Sequence, residues 1–182
     1  MKTLVIVTHP NIHDSMVSKT WVHMLRQHPD RFTVHELYSE YPDGVIDVER
    51  EQALVEEHQN IVLQFPVYWF NCPPLLKQWC DEVLTYGWAY GSKGKAFENK
   101  KLGIAVSLGA PASEYSAEGS VGYTVAETLR PFELTANYIS ANYQPLFTFH
   151  TIDTYESYDE AAAQLVADSA DDYLAHLNTY YA

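Results

Sequence analysis

Residues 4–17 read Leu4-Val5-Ile6-Val7-Thr8-His9-Pro10-Asn11-Ile12-His13-Asp14-Ser15-Met16-Val17, and this stretch decides the fold. Leu4 to Val7 is apolar, rich in β-branched residues and without alternation, the pattern of a strand covered on both faces. The polar run His9 to Asp14 takes the chain into a loop. From Ser15 the period changes: Val17, Trp21, Met24 and Leu25 fall on one helical face, which the His28-Pro29-Asp30 breaker ends. Strand, loop and helix follow in that order.

Outward from this unit the alternation repeats. Phe32, Val34 and Leu37 predict a second strand, and Val48 to His58 a charged surface helix with Ala53 and Leu54 inward. Ile61 to Phe65 is a third strand, stopped by Pro66. Pro73-Pro74 starts a helix whose apolar face is Leu75, Leu76, Trp79, Cys80 and Val83. Tyr86 to Lys101 reads as an aromatic surface excursion, Leu102 to Val106 as a fourth strand, and Val125 to Ala136 as a helix. A fifth strand within Tyr143 to Phe149 and a helix over Glu160 to Leu177 complete the chain. Five βα units predict an α/β fold: a doubly wound, five-stranded parallel sheet with helices on both faces, spanning residues 1–182 as one domain.

The bulk composition bounds the partners. A formal net charge of −13, from 24 acidic against 11 basic residues, sets up a field that repels nucleic acid and anionic membrane surfaces, so any bound phosphate must be held locally. The two cysteines, Cys72 and Cys80, are too few for a disulfide framework and read as buried small hydrophobes, which points to a reducing, cytoplasmic setting. The apolar run at the N-terminus is too short for a signal sequence, and no stretch approaches the roughly 20 apolar residues of a membrane span. The eight histidines form no metal-ligand spacing with Cys or carboxylates.

In doubly wound sheets ligands sit beyond the carboxyl ends of the strands, where strand order reverses, so the loops after strands one, three and four are the candidate site. The first leads into a helix N-terminus, whose free N–H groups and dipole suit a phosphate, with His9 and Ser15 as added donors. The plainer reading makes Ser15 an N-cap and nothing more. The second, Pro66-Val67-Tyr68-Trp69-Phe70, brings three successive aromatics to the surface, which is costly unless a flat ring such as an isoalloxazine covers them or they pack under the Tyr86–Tyr90 excursion. The third, Ser107-Leu108-Gly109-Ala110, has one glycine that admits close backbone approach to a ligand. Tyr115 follows, a phenol suited to hydrogen-bond developing negative charge or, on the plainer reading, one surface tyrosine among fourteen.

The string Gln64-Phe65-Pro66-Val67-Tyr68-Trp69-Phe70-Asn71-Cys72-Pro73-Pro74-Leu75-Leu76-Lys77-Gln78-Trp79 closely resembles the flavin loop and following helix of the NAD(P)H:quinone oxidoreductase, or DT-diaphorase-like, family, which has a flavodoxin-like fold. Tyr41-Pro42-Asp43 with Ile46-Asp47, Gly87-Trp88-Ala89-Tyr90-Gly91 and Leu129-Arg130-Pro131-Phe132-Glu133 are similar to a bacterial branch that includes ancillary flavoproteins of glutathione-gated potassium efflux systems and general-stress quinone reductases. The resemblance implies that His9 with Ser15-Met16-Val17-Ser18 holds a flavin phosphate. It implies that Val67 to Phe70 seats the isoalloxazine and that Ser107 to Ala110 meets its pyrimidine edge; Tyr115, from the reading of the third loop, is the catalytic candidate. Three features depart from the pattern: the phosphate turn offers Val17 or Ser18 where relatives place Asn, Ser107-Leu108-Gly109-Ala110 stands for the usual Thr-Thr-Gly-Gly, and the histidine that partners the tyrosine in the animal enzymes aligns near Val121.

The resemblance thus implies FMN, with FAD as the alternative, reduced by NADPH or NADH and oxidised by a quinone-like acceptor in ping-pong fashion, on a homodimer. Two other functions remain open. One is a regulatory ancillary subunit of a potassium efflux transporter, with secondary reductase activity. The other is a one-electron flavodoxin-type carrier, against which the Trp-Phe-rich loop speaks.

Overall fold

A computed structural model describes residues 2–150 and 159–182. Within it a parallel sheet runs in the order β2-β1-β3-β4, with the last position shared by β5 and β6. The strands are β1 (Thr3–Val7), β2 (Phe32–Glu36), β3 (Asn60–Pro66), β4 (Lys101–Leu108), β5 (Asn142–Tyr143) and β6 (Phe147–His150). The helices are α1 (Met16–Arg26), α2 (Leu37–Glu40), α3 (Val48–Glu56), α4 (Pro74–Val83), α5 (Val125–Thr128), α6 (Arg130–Tyr138) and α7 (Glu160–Tyr180). This is the expected doubly wound order, with the reversal between β1 and β3.

Side-chain alternation along the strands divides the core into two layers. Leu4, Ile6, Leu63, Phe65, Ile104 and Val106 face the layer under α3, α4 and α6. Val5, Val7, Val62 and Ala105 face α1 and α7. Trp21 on α1 and Tyr173 on α7 fill that second layer, and the Trp21 indole N–H donates to Ser169 Oγ at 2.9 Å. Both layers are apolar and closely packed, so the sheet's carboxyl edge is a rigid platform for loops.

The structure corrects four sequence expectations. The fifth strand is two short pieces, because Pro145 in the Gln144-Pro145-Leu146 link has no N–H to continue the ladder along β4. The helix expected over 125–136 breaks at Leu129: Thr124 and Glu127 close a capping box on α5, and Pro131 begins α6 afresh. On α3 the inward face is Glu51 and Val55, with Leu54 only half-buried and Ala53 exposed. The 86–101 excursion is also more than surface, since Ala89 and Phe97 are buried in the first layer and the Trp88 indole donates to Glu56 at 2.7 Å.

Gly103 shows how tightly α7 closes the sheet. A Cβ there would fall inside the contact radius of the buried Tyr181 hydroxyl. Gly103→Ala is expected to lose about 1–3 kcal/mol of stability in urea unfolding, and Tyr181→Phe in the same chain to restore part of it. Additive losses would show that the clash is relieved elsewhere.

Candidate functional site

A cavity of about 550 Å³ opens at the carboxyl ends of β1, β3 and β4. Ten of the site residues read from the sequence line it: His9, Ser15, Met16, Val17, Pro66, Val67, Tyr68, Ser107, Leu108 and Gly109. Asn11 and Asp14 line it as well, and sequence reasoning passed over both. Ser18 lies outside the lining; it is buried, and its N–H donates to Ser15 Oγ at 3.0 Å. Ser15 is therefore an N-cap and a wall of the cavity at once.

At the α1 end of the cavity, the first-turn N–H groups of Met16 and Val17 have no intrahelical carbonyl to reach, and the α1 dipole directs its positive end here. The Asn11 N–H donates to His9 Nδ1 at 3.1 Å. Nδ1 is thus the acceptor, and the neutral ring carries its proton on Nε2, free to donate. Burial lowers the His9 pKa, with the Asp14 charge pulling the other way. The ring is a neutral donor and not a fixed cation. The Asn11 amide donates to the Asp14 carboxylate in the cavity wall.

Trp69 and Phe70 form the tip of a two-residue hairpin. The N–H groups of Tyr68 and Asn71 donate to each other's carbonyls at 2.8 and 3.0 Å, and Trp69 and Phe70 have φ of 48° and 61°. Both central residues at positive φ make a turn that normally takes Asn-Gly, so two aromatics here hold backbone strain. Trp69 is 94% exposed and Phe70 51%, which rules out packing beneath the excursion. Strain and exposure at one turn are the signature of a surface kept for a ligand. Trp69→Asn with Phe70→Gly is expected to stabilise the protein by about 1 kcal/mol or more in urea unfolding; a loss of stability would show that the aromatics hold the turn by packing.

The Val67 N–H donates to the Ser107 carbonyl at 2.9 Å, joining the second and third loops. The amides of Val67 and Tyr68 are therefore already engaged, and those of Trp69 and Phe70 remain for a ligand. Gly109 lines the cavity, and a Cβ built there meets nothing within 4 Å, so a side chain would occupy the cavity and leave the protein packing untouched. Below, Thr8 Oγ1 and both Gln64 amide atoms are buried without hydrogen-bond partners, and Val7, the last residue of β1, pairs with Gln64 of β3. Buried polar atoms of this kind call for a partner that the polypeptide does not supply.

Phe70 lines a second cavity of about 550 Å³ with Ser120, Val121, Tyr123, Glu127 and Thr128. Ala110 and Tyr115 line neither; they meet His150, which ends β6 and was not singled out from the sequence. Cys72 and Cys80 are free thiols, and burial raises both, Cys80 to about 12, which makes them inert at neutral pH. Among the described residues no helix is long and apolar enough to cross a membrane.

Comparison with known proteins places this geometry in a family. A family model described as a flavodoxin-like fold matches residues 1–177. The solved structure of general stress protein 14 from Treponema denticola, in complex with FMN, is 63% identical, with a TM-score of 0.93 and coverage of 98% of this chain and 99% of that one. A Bacillus subtilis (strain 168) protein named Uncharacterized NAD(P)H oxidoreductase YrkL is 55% identical over 148 residues, 81% of this chain and 84% of its own. An NADPH-quinone reductase structure from P. pentosaceus is 32% identical, with a TM-score of 0.80 over 94% of this chain and 97% of that one. The chain belongs to the flavodoxin-like NAD(P)H oxidoreductase family.

Proposed function

We propose that this protein is an FMN-dependent NAD(P)H oxidoreductase of the cytoplasm that passes two electrons to a quinone-like acceptor. One observation carries the reading: a single cavity joins a helix N-terminus to Pro66, Val67 and Tyr68, from which the exposed, strained Trp69-Phe70 turn projects, and to the open backbone at Gly109. Such a cavity suits a molecule with a phosphate at one end and a flat ring at the other. It falls within the roughly 300–1,000 Å³ of ordinary cofactor and ligand sites. The match to an FMN-bound relative at 63% identity supports FMN over FAD.

When bound, FMN supplies the redox chemistry, taking a hydride from the nicotinamide and passing the electrons on. The chain's own task is to bind and to orient. Met16 and Val17 N–H groups and the His9 Nε2–H would hold the phosphate locally, which a chain of net charge −13 requires. Trp69 and Phe70 would cover the flat ring, and Ser107 to Gly109 would hold its polar edge. Donor and acceptor then use one exposed face in turn, which gives ping-pong kinetics. The paired substitution Trp69→Asn with Phe70→Gly, stabilising for the fold, is expected to weaken flavin binding.

Tyr86 is 74% exposed, Tyr138 71% and Leu134 60%, and the Tyr90 and Tyr138 rings touch at 5.4 Å between centroids. We assign this aromatic patch to a homodimer contact that helps wall the partner's site. A monomer in sedimentation that is fully active at assay concentration would contradict it. The test of the cofactor reading is the purified protein itself: a yellow solution with one FMN per chain is expected, and a colourless protein that takes up no added FMN would overturn it. A regulatory subunit of a potassium efflux transporter predicts instead stable capture of the transporter's cytoplasmic domain and little turnover in its absence.

A further inference from the structure

No histidine stands at Val121, which lines the other cavity. The structure brings one from elsewhere. Leu108 pairs with His150 in the sheet, so the last residue of β6 stands beside the third loop. His150 Nδ1 lies 2.9 Å from the Ala110 carbonyl oxygen. A carbonyl only accepts, so Nδ1 carries the proton and the neutral ring keeps its lone pair on Nε2. The same half-buried ring packs against Tyr115, with centroids 5.8 Å apart and planes at 59°. Burial raises the Tyr115 pKa, which keeps the phenol a neutral donor at physiological pH.

We infer that His150 is a positioning residue for this site, fastening the Ser107–Ala110 loop through Nδ1–H and fixing Tyr115 against the end of that loop through its ring. One side chain from β6 thereby holds both the end of the loop whose Ser107, Leu108 and Gly109 line the cavity and the tyrosine that follows it. The catalytic part of this inference rests on the reaction proposed above, whereas the positioning part stands on the polypeptide alone. Tyr115 sits on a turn, as the residue that closes the short Ala112–Glu114 helical turn, and a turn without a packed partner does not hold a phenol to the precision that catalysis needs.

Ring-nitrogen NMR of the full-length protein as purified tests the positioning part. His150 is expected in the Nδ1–H form, with resonances that move when Tyr115 is changed to Phe. A proton on Nε2, or a His150 ring indifferent to Tyr115→Phe, would overturn the inference. The second arm is single-turnover flavin reduction by excess NADPH. His150→Ala is expected to slow it on the order of a hundredfold, and Tyr115→Phe in that background to add no more than about twofold. Independent, multiplying losses would also overturn it. His150→Asn retains an amide donor near the place of Nδ1; it is expected to keep flavin affinity while losing the coupling to Tyr115. A protein that takes no flavin, yet shows the expected His150 spectrum, would refute the proposed reaction and leave the positioning pair standing.

Discussion

Replacing Glu51 with Ala is expected to cost about 3–5 kcal/mol, a large part of a typical domain's stability. The Glu51 side chain is fully buried in a helix whose other acidic residues face water. Its carboxylate lies 2.8 Å from His35 Nε2, and it accepts from the Tyr41 hydroxyl at 2.6 Å and the Trp79 indole at 2.8 Å. The substitution opens a cavity and leaves these polar groups of β2, the α2–α3 link and α4 without an acceptor. Glu51→Gln keeps the shape but turns an amide N–H toward donors, so a smaller loss is expected. Urea unfolding midpoints at unchanged slope measure both; a loss under about 1 kcal/mol for Glu51→Ala would show that the network is dispensable.

The same network sets an acid limit. Burial by itself would raise the Glu51 pKa, but the hydrogen bonds from His35, Tyr41 and Trp79 outweigh it and hold the carboxyl below its ordinary 4.5. A depressed folded-state value contributes stability that is fully present above the unfolded value and is lost as pH falls through the folded one. The native protein should therefore lose stability more steeply below pH 4.5 than Glu51→Gln does. The consequence reaches the site, because α4 follows the Trp69-Phe70 turn directly and Trp79 anchors α4 to this carboxylate.

Tyr115→Phe is expected to slow flavin reduction about a hundredfold, or about 3 kcal/mol, while leaving flavin affinity nearly intact. The expectation follows from a preorganised phenol donor beside charge that develops during hydride transfer. A tyrosine that only packs the loop predicts the opposite order: Phe is tolerated, and removal of the ring in Tyr115→Ala does the harm. Single-turnover reduction of both variants by excess NADPH separates these outcomes, and an unchanged rate for Tyr115→Phe removes Tyr115 from the mechanism.

What could be read from the sequence follows a physical boundary. Leu4–Val7 and Ile61–Phe65 were legible because strands buried on both faces carry uninterrupted apolar runs, and the order of the βα units then placed the three loops at one edge. Glu51 was not, because a buried charge inside a charged helix has no local signal; its partners come from three other elements. The Trp69-Phe70 hairpin was visible as an aromatic cluster but not as a turn, since it lacks the Asn-Gly that such turns favour. His150 was hidden by distance, forty residues from the carbonyl it holds. The two-piece fifth strand followed from Pro145, a signal that was in the sequence and was passed over.

The central claim is that the cavity at the ends of β1, β3 and β4 holds FMN in a state that a nicotinamide can reduce. Anaerobic mixing of the FMN-loaded protein with NADPH, and separately with NADH, tests it most directly. The account predicts bleaching of the flavin's visible absorbance by at least one of the two, with one nicotinamide oxidised per flavin, and recovery of the colour when a quinone is added. A flavin that stays oxidised with both nicotinamides would contradict it.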